Sequence, residues 1–207
     1  MLSLDRVLAG TFVAMVVGAA TLIIGLVGGK RTLAEEFQPI KEAEMPKDFP
    51  SYTSVGQIEV KHYPAYRKAM ASGGSSFWTL FRHIKQNKIA MTAPVEMDIG
   101  DPLSEKPGRG SMAFLYERPD QGSVGAQGNV SVVDVPAATV LSIGCRGSQN
   151  SANISQARAR LLEYLNEHSG QYTIIGPMRV MGYNSPFVPR SSNFFEVQIP
   201  VERIAPR

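Results

Sequence analysis

Ile89-Ala90-Met91-Thr92-Ala93-Pro94-Val95 runs almost without a polar side chain, Thr92 being the exception. As a strand, such a run is buried on both faces, and its reading decides where the core of the chain lies. Pro94 removes one ladder donor, which places the strand near an edge or a bulge at that point. Just upstream, Gly73-Gly74-Ser75-Ser76 breaks the chain and offers a serine cap. Phe77, Leu80, Phe81 and Ile84 then recur at helical spacing, so a short helix with one apolar face leads into the strand. Arg82, Lys85 and Lys88 fall away from that face or along its margin.

Working outward, residues 58–63 alternate apolar and polar, the mark of a half-buried strand, and put His62 in phase with Ile58 and Val60 on the inner face. Further strands are expected at 112–116, 130–135, 138–145, 172–180 and 194–201, separated by Pro- and Gly-rich loops. A longer helix over 150–168 is lined by Ile154, Ala157, Leu161, Leu162 and Leu165. Residues 58–116 and 138–201 each read strand, helix, strand, strand. This is an α+β pattern in which two similar units share one sheet or barrel with the helices packed outside.

The first thirty-one positions stand apart. Residues 7–29 carry no charge and as a helix would be roughly 34 Å long, enough to cross the hydrocarbon core of a bilayer. A cleaved signal peptide is the rival, but the run ends in Gly28-Gly29-Lys30-Arg31 rather than in a small-x-small site. The expectation is one N-terminal transmembrane anchor (1–31) contacting lipid through 7–29, a tether (32–51) and a folded domain (52–207). Lysines and arginines after the span argue for a cytoplasmic domain. The short N-terminal tail with Arg6 argues for export, and the expected location is single-pass membrane with the domain on the exported side. Small residues at Ala14, Gly18, Gly25 and Gly29 would admit a partner transmembrane helix.

The formal net charge is +3. Three of the basic residues (Arg6, Lys30, Arg31) but only one acid (Asp5) fall in the first thirty-one positions, so the remainder is nearly neutral and offers nucleic acid no basic surface. Cys145 is the single cysteine, which excludes an intrachain disulfide and a Cys-based zinc site. No HExxH, GxSxG, P-loop or dinucleotide glycine motif occurs, and a non-catalytic domain is expected.

Four stretches, in order, resemble the SOUL/haem-binding protein family: residues 58–66; Phe77, Leu80 and Ile84 followed by 88–95; Ser111-Met112-Ala113-Phe114; and Gly182-Tyr183-Asn184-Ser185-Pro186-Phe187 with Asn193-Phe194-Phe195-Glu196-Val197. The string 89–95 is the most specific. The chain thus looks like a membrane-anchored, bacterial-type member. The resemblance implies a distorted β-barrel of two pseudo-symmetric strand-helix-strand-strand halves. It also implies a haem or other tetrapyrrole held without covalent attachment, for carriage, buffering or delivery. One departure is that only Gln86-Asn87-Lys88 remain of the family's longer loop after the first helix.

A tetrapyrrole needs an apolar slot and cations for its carboxylates, with an axial ligand optional. The candidates are His83, also a candidate for the haem iron, and His62; Arg82 and Lys85 for the carboxylates; and Phe81, Trp78 and Met91 for the apolar wall. Each also has a plainer reading, as helix surface, strand residue or core. A second functional reading is a docking module: a non-catalytic accessory subunit of a membrane complex, motivated by the small-residue face of 7–29 and the shortened loop.

Overall fold

The structure is a computed structural model that describes residues 37–104, 108 and 110–204. These belong to one unit, Glu35–Arg207, while Met1–Ala34 forms the other and lies outside the described residues. The elements are β1 (Ile58–Tyr63), β2 (Tyr66–Ala71), α1 (Ser76–Gln86), β3 (Val95–Gly100), β4 (Met112–Leu115), β5 (Gly125–Gln127), β6 (Val130–Val135), β7 (Ala138–Arg146), α2 (Ser151–Glu167), β8 (Tyr172–Ile174), β9 (Met178–Gly182) and β10 (Phe194–Arg203).

The strands form one antiparallel sheet in the order β1-β7-β10-β9-β3-β4-β2-β6-β5, with β8 added on β10. The expected barrel is therefore corrected to an open sheet, because β1 and β5 end the path instead of pairing with each other. The sequence halves are also not separate in space. β1 leaves the first half to pair with β7, and β6 pairs back onto β2. The two halves meet at β3 and β9.

Cross-strand partners share a face of a sheet. Phe114, Val95, Gly182 and Phe195 are paired in one row across β4, β3, β9 and β10. Phe114 packs with Leu80 and Ile84 of α1, and Phe195 packs with Ile154, Ala157 and Leu161 of α2. Both helices thus cover the same face. α1 forms because its apolar residues recur on one side; Leu80 and Ile84 are buried. At the start of α2, the Asn150 side chain accepts from Asn153 N at 2.9 Å and satisfies one of the free N–H groups there.

The opposite face holds Tyr63, Tyr66, Leu115, Val140, Met181 and Phe194, against which Phe37, Met45, Phe49 and Tyr52 pack. The segment expected as a tether therefore lies against the sheet from residue 37 onward. Lys47 N donates to Glu117 O and Ala93 N to Glu44 O, both at 2.9 Å. This strap covers the face that strand closure would have covered in a barrel.

Two local readings change. Residues 89–94 are not strand apart from one bridge between Thr92 and Glu44, and β3 starts at Val95. Pro94, after a cis bond, supplies no ladder donor, yet Ile89, Thr92 and Ala93 are buried. Burial made the run apolar, without a strand. In β1 the phase is reversed: Lys61 and Tyr63 are buried while His62 is exposed and Val60 is 37% exposed. The cause is an interior carboxylate, Glu196, that draws Lys61 inward.

The membrane expectation is not retained. Among the described residues no helix is long and apolar enough to cross a membrane. The span at 7–29, with Ala14, Gly18, Gly25 and Gly29, lies outside the described residues. The single-pass, exported location therefore has no support among the described residues.

Candidate functional site

A groove of about 460 Å³ opens on the helix-covered face, at the Val95–Gly182 end of the central β3–β9 pair. One wall is α1, through Phe77 and Phe81. Met91, Met97 and Met112 add flexible apolar surface, suited to a ligand of irregular outline. The far lip is the loop after β9, from Tyr183 to Phe187, whose Phe187 ring is 93% exposed.

Hydrogen bonds to the strap hold that loop. Glu42 accepts from Ser185 N at 2.6 Å and from Ser185 Oγ at 2.7 Å, while Asn184 Nδ2 donates to Ile40 O at 2.6 Å. Partial burial raises the Glu42 pKa, but the hydrogen bonds from Ser185 and Asn184 outweigh it and hold the carboxyl below its ordinary value. Thr92 Oγ1 donates to Leu115 O at 2.6 Å and ties the irregular run to β4.

The sequence-derived candidates separate into two groups. Phe81 and Met91 line the groove. Lys85 does not line the groove but places its ammonium 5.5 Å from the centroid of the Phe81 ring. Trp78 is 65% exposed and packs edge-on against Phe77 and Phe81 behind the wall. Arg82 is exposed on the same helix. His83 does not line the groove. It is buried, with Nε2 2.7 Å from the Tyr116 hydroxyl and Nδ1 3.3 Å from Asn87 Nδ2, and burial lowers its pKa. His62 is exposed at the other end of the sheet order and bonds Thr139 Oγ1 at 2.9 Å.

The alternation expected for a half-buried sheet hid a second feature, a buried polar network on the strap-covered face. Glu196 accepts from Lys61 Nζ at 2.7 Å, Gln198 Nε2 at 2.6 Å, Ser142 Oγ at 3.1 Å and Thr53 N at 2.5 Å. Arg179 donates to Gln198 Oε1 at 2.9 Å, Tyr66 Oη at 2.8 Å and Glu96 Oε2 at 3.2 Å; Lys68 pairs with the other oxygen of Glu96. Burial raises the Glu96 pKa, but Arg179 and Lys68 more than compensate and hold it below its ordinary value. Burial lowers the pKa of Lys61, opposed by Glu196. The Cys145 thiol is pushed up to about 12, first by burial and then by Glu196, so it stays protonated and unreactive. The network crosses β1, β10, β9, β3 and β2, and it ties the two halves together beneath the groove.

Met97, Met112 and Gln149 also line the groove and were not among the sequence candidates. Met112 carries a weak signal, since it opens the strand expected at 112–116. Gln149 sits in a polar loop and carries none. Among the described residues no three His, Cys, Asp or Glu side chains gather as a protein-held metal would require. The groove suits an organic ligand: its size is within the ordinary range for small-molecule sites, its walls are apolar, and one wall ring, Phe81, has the Lys85 ammonium 5.5 Å from its centroid.

No curated protein matches the chain. Among solved structures, the fold is similar to the C-terminal domain of EcmrR (TM-score 0.53, 18% identity, covering 72% of this chain and 98% of that one). It is also similar to a conserved protein from Listeria innocua (TM-score 0.54, 11% identity, 72% and 93%) and to a hydrolase from the same organism (TM-score 0.52, 13% identity, 73% and 94%). At such identities the likeness is one of fold alone. The model of the SOUL heme-binding protein family matches residues 47–200, from the strap into β10, and the chain belongs to that family.

Proposed function

We propose that the protein binds haem or a related tetrapyrrole non-covalently in the groove beside α1, as a carrier, buffer or donor of the pigment and not as a catalyst. The observation that carries this reading is that two of the stretches that resemble the family, 89–95, the most specific, and 182–187, converge on one apolar groove of about 460 Å³. Phe77, Phe81 and the three methionines would hold the macrocycle by contact with its faces and edge, and Lys85 would offer charge to a carboxylate. His83 has no place in this reading as an iron ligand, since both ring nitrogens are engaged with Tyr116 and Asn87. When bound, the tetrapyrrole supplies the chromophore and any redox chemistry; the protein supplies an apolar, partly shielded seat.

The test is titration of the full chain with haemin, followed by absorbance. A saturable, one-to-one shift of the Soret band is the expected result. No shift at micromolar protein would overturn the reading.

A further inference from the structure

The polar side chains around the groove are almost all engaged. Thr92 is bonded to Leu115, Glu42 to Ser185, and Asn184 to Ile40 and Phe194. The Tyr183 hydroxyl is directed to Glu196 and Tyr63. Gln149 is the exception among the described residues: its carboxamide lines the groove and makes no hydrogen bond to the protein. The side chain is half-buried and its amide is not sealed from solvent, so a ligand group entering the groove can reach it.

The loop that carries the amide is held in place. Its loop is pinned on both sides, by Gly147 N donating to Asn193 O at 2.8 Å and by Asn153 Nδ2 donating to Ser148 O at 2.8 Å. The side chain lies directly over Gly182, where a Cβ would stand 2.7 Å from Nε2 and 3.2 Å from Oε1. Only glycine at 182 leaves the amide this position. Gln149 immediately precedes the cap residue of α2, a 17-residue helix with no acid in its first turn. The partial positive charge of that helix start favours an anionic group nearby over a cationic one.

We infer that Gln149 is a specificity residue of the groove, donating a hydrogen bond from its carboxamide to a carboxylate of the bound tetrapyrrole; this rests on the tetrapyrrole reading above. The class of ligand is thereby narrowed to acidic tetrapyrroles, with esterified or neutral ones disfavoured.

The test compares haemin with haemin dimethyl ester on the wild type, Gln149→Leu and Gln149→Glu, with urea midpoints confirming that each variant folds. Gln149→Leu should weaken haemin by about tenfold, the size of one charge-assisted hydrogen bond, and leave the ester nearly unchanged. Gln149→Glu should weaken haemin further by repulsion, and added salt should reduce that extra loss. Gly182→Ala, which keeps Gln149 but displaces its amide, should lower the haemin-to-ester affinity ratio as Gln149→Leu does. Equal losses for both ligands in Gln149→Leu, or no loss for haemin, would overturn the inference while leaving the tetrapyrrole reading intact. A wild type that binds neither compound would overturn both.

Discussion

Lys61 and Glu196 meet at 2.7 Å across β7, from the two strands that flank it, with side chains only 4% and 0% exposed. Removing one member of such a pair strands the other without its counter-charge. Lys61→Met should cost about 3 kcal/mol, the lower end for a broken buried pair, because Glu196 keeps three other donors. Lys61→Met combined with Glu196→Gln should recover a substantial part of the loss. Urea midpoints of the single and double variants measure this, and a double variant as unstable as the sum of the singles would count against the coupling.

Acid should act through Glu96. Its folded pKa lies below the ordinary 4.5, so the folded state holds the proton less readily than the unfolded chain. The resulting stability is fully present above about pH 4.5 and is lost as the pH falls through the folded value. His83, lowered from 6.5 by burial, acts with the same sign at higher pH. Urea midpoints taken from pH 7 to pH 3 should fall in the wild type, and the fall below pH 4.5 should flatten in Glu96→Gln.

His83→Ala should destabilise the fold by about 1–2 kcal/mol, through the hydroxyl of Tyr116 left buried without its partner. It should leave the Soret maximum of the haemin complex where it is in the wild type. A displaced maximum in a folded variant would show that the imidazole leaves Tyr116 for the iron.

Phe81→Ala removes the ring that stacks beside Phe77 and lies under Lys85. Haemin affinity should fall by about tenfold or more, in line with the apolar surface withdrawn from the groove wall. Lys85→Gln should weaken haemin by a smaller factor, and that loss should shrink in high salt. Dye-free titration of the same absorbance change reads both.

Much of the architecture could be read from periodicity. Leu80 and Ile84 in α1, and Ile154, Ala157 and Leu161 in α2, are buried where the helical spacing puts them. Met91 lies in the run 89–95 and Phe81 on the helix that leads into it, and both line the groove. The failures share a physical cause. Alternation in β1 was resolved by assuming that charge faces water, and Lys61 reversed the phase because its partner, Glu196, is more than a hundred residues away in sequence and equally buried. Residues 89–94 read as strand in the sequence because an apolar run cannot by itself distinguish ladder pairing from burial in an irregular segment. The open sheet was hidden because closure depends on which distant edges meet. Gln149 was invisible because its role comes from the absence of a side chain at Gly182, across the groove floor.

The exchange of edge strands has a consequence for how the protein is made. β1, the terminal strand of the sheet, pairs with β7, and everything from β2 to β6 is synthesised between them. On the ribosome the first strand must therefore wait, with Lys61 unpaired, until most of the chain has emerged. Such late, long-range pairing slows folding and exposes an unpaired edge to other chains in the meantime. A nascent chain arrested before β7 cannot hide its first strand, and a gene cut between β6 and β7 yields two pieces that each lack a neighbour supplied by the other.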